Sequence, residues 1–124
     1  MIETVRISEK AKNQLITLKR RTGIQNWNVL CRWALCQSLQ EKSEPPYEDI
    51  PSDSSVEMTW KTFTGGEDAV YLALIQLRAH GAGISLEKDS INKYFRVHLH
   101  RGISYLFGNP KLVKIEDLIR VGTI

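Results

Sequence analysis

The sequence holds only two cysteines and four prolines, and it has no apolar run of membrane-spanning length. No signal-peptide core follows Met1, so a cytoplasmic protein without a membrane partner is expected. Cys31 and Cys36 stand five apart in one helical pattern and point to different sides of it, a poor geometry for a disulfide. Neither CxxC nor zinc-type spacing is present, which suggests a reducing compartment and thiols used for packing. There is no phosphate-binding glycine loop, catalytic carboxylate pair, triad spacing or metal constellation. These absences speak against an independent enzyme. They give no reason to expect a cofactor, a metal or a catalytic residue.

The net charge is only +3, yet the charge is segregated. Residues 1–40 carry a balance of +5, residues 41–68 of −6, and residues 69–124 of +4. With 124 residues, one domain with one modest core is expected. Three parts are legible: a strand–helix–helix unit over 1–40, an acidic, proline-containing loop over 41–55, and a helical remainder over 56–124.

"IETVRI" (2–7) alternates and predicts a short strand, with Ile2, Thr4 and Arg6 on one side. Ser8 and Gly23 bracket a first helix over about 9–22, whose apolar stripe is Ala11, Leu15 and Leu18. A second helix over about 27–40 follows "GIQN", with Asn26 at its cap. Trp27, Leu30, Cys31, Ala34 and Leu35 lie on one face, and Val29, Trp33 and Cys36 on nearly the opposite one. A helix apolar on two sides is buried on two sides, which points to a homo-oligomer, a dimer or a tetramer. "VEMTWKTF" (56–63) alternates as a short strand. A third helix over 67–80 has Val70, Leu74 and Leu77 in register, and a fourth over 86–107 starts from Ser85. On the fourth, Gly102 falls on the apolar face and implies close helix packing. A short helix is expected around Ile115–Arg120. The fold class is therefore mainly α, with a short N-terminal strand.

The charged residues of the first helix suggest a partner. Lys12 and Lys19 project within about 20° of each other, Lys10 and Arg21 share a second direction, and Arg20 points away from the stripe. The turn "TGIQN" then leads into a helix N-terminus, where free N–H groups near Asn26 and Trp27 and the helix dipole favour an anion. DNA phosphate suits both features and brings affinity without base reading. Lys93, Arg96 and His100 form a second basic strip on the fourth helix. His98 and His100, two apart, diverge by about 200° and cannot share a metal. His98 reads as a hydrogen-bonded boundary residue, and both cysteines read as buried packing. Among the tryptophans, Trp60 is the one most open to stacking on an unpaired base.

The order strand, helix, glycine turn, apolar helix over residues 2–40 resembles the ribbon-helix-helix arrangement of Met- and Arc-type repressors. That likeness implies strands paired between two chains, with Thr4, Arg6 and Ile2 facing the groove. Ile and Thr read base edges weakly. A more specific resemblance rests on "ETVRISEKAKNQLITLKRRTGIQNWNVLCRWALC", "VEMTWKTFTGGE" and "FRVHLHRGISYL". Together, and in this order, they resemble the DndE family of bacterial DNA phosphorothioation systems, from Met1 to about Phe107. The resemblance implies a DNA-binding accessory protein that works beside a cysteine desulfurase and the other modification components. A sequence-tolerant grip on duplex DNA, with a preference for nicked duplex, is the expected function. Two alternatives stand beside it: a repressor of its own operon, and an adaptor whose acidic loop docks a basic partner enzyme.

Overall fold

The computed structural model describes residues 1–109 together with Glu116, Asp117 and Ile119. Among these residues the order is β1 (Thr4–Arg6), α1 (Glu9–Thr22), α2 (Trp27–Gln40), β2 (Glu57–Thr59), α3 (Trp60–Thr64), α4 (Asp68–Gly81) and α5 (Lys88–Gly108). The mainly helical class is as expected. The helix expected around Ile115–Arg120 lies outside the described residues apart from Glu116, Asp117 and Ile119.

The first two helices begin and end where their caps place them. Ser8 Oγ accepts the Ala11 N–H at 3.1 Å, and Gly23 closes α1 at φ 77° with its N–H on the Lys19 carbonyl. β1 pairs antiparallel with β2 in the register Thr4–Thr59, Val5–Met58, Arg6–Glu57. The ribbon is thus completed inside the chain, where the ribbon-helix-helix likeness implies a second chain. Ile2, which the likeness would turn to the groove, is buried in the core instead, and Arg6 is paired with Glu57 at 2.8 Å. β2 is shorter than the alternation over 56–63 implies. Thr59 accepts the Thr62 N–H at 3.1 Å, and this cap turns the chain into α3 at Trp60.

Trp60 is consequently buried, not free. It stacks on Phe63 at 5.2 Å and meets Phe95 edge-on at 5.3 Å, and these rings anchor the core beneath β1 and β2. α5, the longest helix, runs through the centre. α2 lies against it so closely that Gly102 faces the Ala34 carbonyl, as its place on the apolar face implied. α5 starts at Lys88, two residues later than expected, because Ser85 Oγ accepts the Glu87 N–H and leaves Glu87 as the cap.

α4 departs most from expectation. The expected stripe of Val70, Leu74 and Leu77 is 54%, 43% and 71% exposed. Ile75 and Ala79, on the other side, are buried. α4 is apolar around most of its circumference, so periodicity alone does not say which stripe wins. Tyr71 and Leu72 join Ile75 against the core, and the Val70 stripe is left outside.

Candidate nucleic-acid interface

The sequence segment Lys19-Arg20-Arg21 ends α1 at a corner fixed by two small residues. Thr22 Oγ1 donates to the Leu18 carbonyl at 2.8 Å and accepts the Ile24 N–H at 3.2 Å, and Gly23 supplies the left-handed step. The turn brings α2 in beside the basic residues. Lys19 Nζ sits 3.6 Å from the ring centroid of Trp27, the first residue of α2. Arg21 donates to the Phe107 carbonyl at 3.2 Å, and its guanidinium stands 5.6 Å from the Phe107 ring. Arg20 is exposed. Two of three charges are therefore held in place by aromatic faces, each contact worth about 0.5–1 kcal/mol at an exposed site.

Asn26 occupies the cap position of α2 in extended conformation, but its side chain makes no capping bond. Among the described residues no side chain caps the first N–H groups of α2, which lie beside Lys19. The same three charges oppose the negative end of the α1 dipole, so they also stabilise their own helix.

Lys10 and Lys12 lie at the opposite end of α1. Eleven residues separate Lys10 from Arg21, roughly 17 Å along the helix. Lys12 reaches Ser55 Oγ at 3.3 Å and Glu9 at 4.0 Å, and Lys10 is exposed at the rim of a cleft. The basic residues of α1 thus form two groups, not one ring.

The second strip does not form. Lys93 is exposed. Arg96 turns inward: one nitrogen donates to the Arg6 carbonyl, and another donates to the Ile50 and Pro51 carbonyls at 3.0 and 3.3 Å. It ties β1 and the acidic loop to α5, so both terminal guanidinium nitrogens are already engaged by carbonyls. His100 is spoken for at both nitrogens. Its Nε2 accepts the Ser8 N–H at 3.1 Å, which places the proton on Nδ1, and Nδ1 donates to the Arg96 carbonyl at 2.8 Å. Burial pushes its pKa down to about 4, which favours the neutral form at pH 7, and neither ring nitrogen is free for a phosphate. Projection along α5 gave the right direction for both residues. What it could not show is that β1, Ser8 and the loop arrive on that same side.

His98 is fully buried, deeper than a boundary residue, with Nδ1 2.8 Å from Ser38 Oγ and burial lowering its pKa to about 4. Both histidines favour the neutral form when folded, while an unfolded histidine binds its proton near pH 6.5. The unfolded chain therefore holds more protons between pH 6.5 and 4, and stability falls as pH falls through that window. The urea midpoint should drop steadily from pH 6.5 to 4, with a ceiling on the order of 3 kcal/mol per histidine. A midpoint flat across the window would contradict this assignment.

Two arginines that the sequence pattern did not single out do the most structural work at the loop. Arg78 pairs with Glu44 at 2.8 Å and donates to the carbonyls of Leu39, Glu41 and Ser43. Arg101 donates to Ser38 Oγ at 2.9 Å and to the Ser38 and Ser43 carbonyls. Together they satisfy the carbonyl end of α2 and fold the acidic loop back on the body. Burial would raise Glu44, but hydrogen bonds from Tyr94 and Arg78 outweigh it and hold its carboxyl below the usual range. Asp53 accepts the Glu9 N–H at 2.8 Å at the start of α1. Glu44 and Asp53 are thereby tied to the body, which leaves Glu41, Glu48 and Asp49 as the other exposed acids of the loop, with Asp49 accepting the Tyr47 hydroxyl at 3.0 Å.

Cys31 is buried, and desolvation raises its thiol to about 12. Cys36, expected to be buried, is exposed beside Val29, Trp33 and Tyr71, and these neighbours still desolvate it enough to raise its pKa. Both shifts run opposite to the depressed pKa that a persulfide carrier needs. Among the described residues no group of three or more His, Cys, Asp or Glu could share a metal ion, and no helix is long and apolar enough to cross a membrane.

A family profile described as "DNA sulphur modification protein DndE" matches residues 4–114. Two solved structures share the fold. One, DndE from Escherichia coli B7A involved in DNA phosphorothioation modification, has a TM-score of 0.72 at 22% identity over 86% of this chain and 98% of that one. The other, a mutant DndE involved in DNA phosphorothioation, has a TM-score of 0.69 at 18% identity over 88% of this chain and 100% of that one. No curated protein matches the sequence.

Proposed function

The chain belongs to the DndE family of the DNA phosphorothioation system, and from that premise we propose that it is a DNA-binding accessory component that grips the duplex backbone with little regard to sequence. It acts beside the other proteins of the system, a cysteine desulfurase among them, and carries no catalytic step of its own. The observation that carries this reading is the corner at Lys19, Arg20 and Arg21, set against the uncapped start of α2. Lys10 and Lys12 extend the contact along α1, and Lys93 stands as a separate exposed charge. Arg96 and His100 are not part of it. Base reading is weak: Arg6 is paired with Glu57 and Ile2 is in the core, so β1 offers Thr4 alone. The in-chain pairing of β1 also removes the two-chain ribbon that motivated a repressor.

Sulfur insertion must disturb the DNA backbone, so the preferred substrate is nicked duplex. The test is a titration against intact, nicked and single-stranded DNA at two salt concentrations, with wild type and a Lys12/Lys19/Arg20/Arg21→Glu variant. Wild type should bind with a steep salt slope and the variant should not. Equal affinity for nicked and intact duplex at matched salt would remove the nick preference.

The chain also self-associates in this reading. The outward side of α4 presents Ala69, Val70, Ala73, Leu74 and Leu77, all exposed and none charged. It adjoins the shallow cleft of Val29, Trp33, Cys36 and Tyr71 on the outer side of α2. Contiguous exposed apolar surface marks an association site, and an uncharged face meets its own copy without like-charge repulsion. A Leu74→Lys/Leu77→Lys variant should sediment as a monomer with unchanged helicity, against an oligomeric wild type. A wild type that is itself monomeric would assign this face to a different protein, in line with the adaptor alternative.

A further inference from the structure

The acidic loop lies against the N-terminal half of α1. Asp53 accepts the Glu9 N–H at 2.8 Å in the first turn of the helix, and Ser55 Oγ accepts from Lys12 Nζ at 3.3 Å. Ser54 fastens this segment by donating to the Ile7 carbonyl at 2.7 Å. Earlier in the loop, Glu48 shares with Lys10 and Asp53 a cleft of about 440 Å³ between α1, the loop and α5. The two oppositely charged segments of the sequence, +5 over residues 1–40 and −6 over residues 41–68, thus meet here.

This contact divides the cations of α1. At the corner, Lys19 and Arg21 rest on aromatic rings, and Arg20 is exposed. At the other end, the Lys12 side chain is only 27% exposed beside the loop. A phosphate that enters the cleft for Lys10 also meets the Glu48 carboxylate, and the Asp53 carboxylate already holds the anion position at the positive end of α1. Acids carried on the same chain act at high effective concentration against a ligand from solution.

The loop is clamped at both ends. Arg78 and Arg101 hold the Ser43 carbonyl, and Arg96 holds those of Ile50 and Pro51. Between the clamps, residues 45–49 make one hydrogen bond among the described residues, and it is internal, from Tyr47 to Asp49 at 3.0 Å. Glu48 rides on this span and has no hydrogen-bond or ion-pair partner of its own, so moving it out of the cleft breaks no bond to the body. Asp53 lies beyond the second clamp and stays in place.

We propose that the acidic loop is an internal competitor for DNA phosphate: Glu48 and Asp53 screen Lys10 and Lys12, so DNA first meets the corner at Lys19, Arg20 and Arg21, and the N-terminal half of α1 joins only when Glu48 gives way. This rests on the backbone-binding reading above and sets the order in which its cations act.

The test is a titration of duplex DNA across salt concentrations. Glu48→Gln/Asp53→Asn should bind about tenfold more tightly than wild type at low salt, with a slope steeper by about 1.8, the value for two more phosphates. Glu87→Gln/Asp89→Asn removes two exposed acids at the start of α5, outside the cleft, and controls for net charge with a gain of about twofold at most. Adding Lys10→Gln/Lys12→Gln should abolish the gain of the loop variant, while the same pair in wild type should cost less than about twofold. Asparagine keeps an acceptor for the Glu9 N–H. If Asp53→Asn nevertheless lowers the urea midpoint, Glu48→Gln alone carries the test, with a gain of about threefold. A gain no larger than the control's, or one that survives Lys10→Gln/Lys12→Gln, would overturn the competitor and leave the corner standing. Absence of DNA binding in wild type and in every variant would overturn the backbone grip as well.

Discussion

Gly102→Ala should prevent the protein from folding to a stable state. A Cβ built on Gly102 lies 1.7 Å from the Ala34 carbonyl oxygen and 2.4 Å from its carbon. These are backbone atoms in the middle of α2, so no side-chain rotation relieves the clash. The two helices would have to part by more than an ångström where their packing is tightest. Leu30, Ala34 and Leu35 on α2 and Leu99, Ile103 and Leu106 on α5 are all essentially fully buried, and each would lose contact at once. Ordinary overpacking costs about 1–3 kcal/mol, and a backbone collision between two core helices belongs above that range. Against a total of about 5–15 kcal/mol, the loss is most of the stability. Gly108→Ala is the control. Nothing lies within 4 Å of a Cβ there, and alanine in a helix is favoured over glycine by about 0.5–1 kcal/mol. Paired urea titrations should show Gly108→Ala at or above wild type and Gly102→Ala without a cooperative transition. A Gly102→Ala protein with near wild-type stability would mean that α2 and α5 do not pack as described.

The contrast between these glycines shows where a sequence is legible. Local chemistry was readable wherever one residue decides the outcome. Ser8 and Gly23 set the ends of α1 through their own hydrogen bonds and backbone angle, and Gly102 stood on an apolar face where only close packing explains it. Competition between neighbours was not readable. α4 has two apolar stripes, and the choice between Val70–Leu77 and Ile75–Ala79 is made by α5 and the Phe63–Phe95 rings, which come from other parts of the chain. Arg96 and His100 look like surface cations along α5 until β1, Ser8 and the loop carbonyls settle on them. Arg78 and Arg101 carry no distinctive spacing, because their partners are main-chain carbonyls at the end of α2, and any residue there would supply the same oxygen. The basic corner was legible in position but not in shape: the sequence placed Lys19 to Arg21 beside the start of α2, and the aromatic supports at Trp27 and Phe107 came from the fold.

Replacing Lys12, Lys19, Arg20 and Arg21 together should remove DNA binding, and the salt dependence of wild type says how many charges do the work. One chain that neutralises about three phosphates gives a slope of log K against log salt near −3, and two chains acting together give one near −5. Between 50 and 200 mM salt, these correspond to losses of affinity of about sixty-fold and about a thousand-fold. The slope therefore reports on self-association through α4 as well as on the corner itself. Glutamate at these positions has a second effect. It places negative charge at the negative end of the α1 dipole and removes Lys19 from Trp27 and Arg21 from Phe107. Each change costs about 0.3–1 kcal/mol, so the fold is weakened by roughly 1–3 kcal/mol in sum. A glutamine set removes the same cations without adding repulsion and keeps the helix lengths and side-chain volumes. If the glutamine variant retains cooperative unfolding but loses both affinity and slope, the corner holds phosphate. If it binds as wild type does with an unchanged slope, the cations at the end of α1 serve that helix's dipole and nothing beyond it, and the acidic loop's exposed residues Glu41, Glu48 and Asp49 become the surface to test against a basic partner.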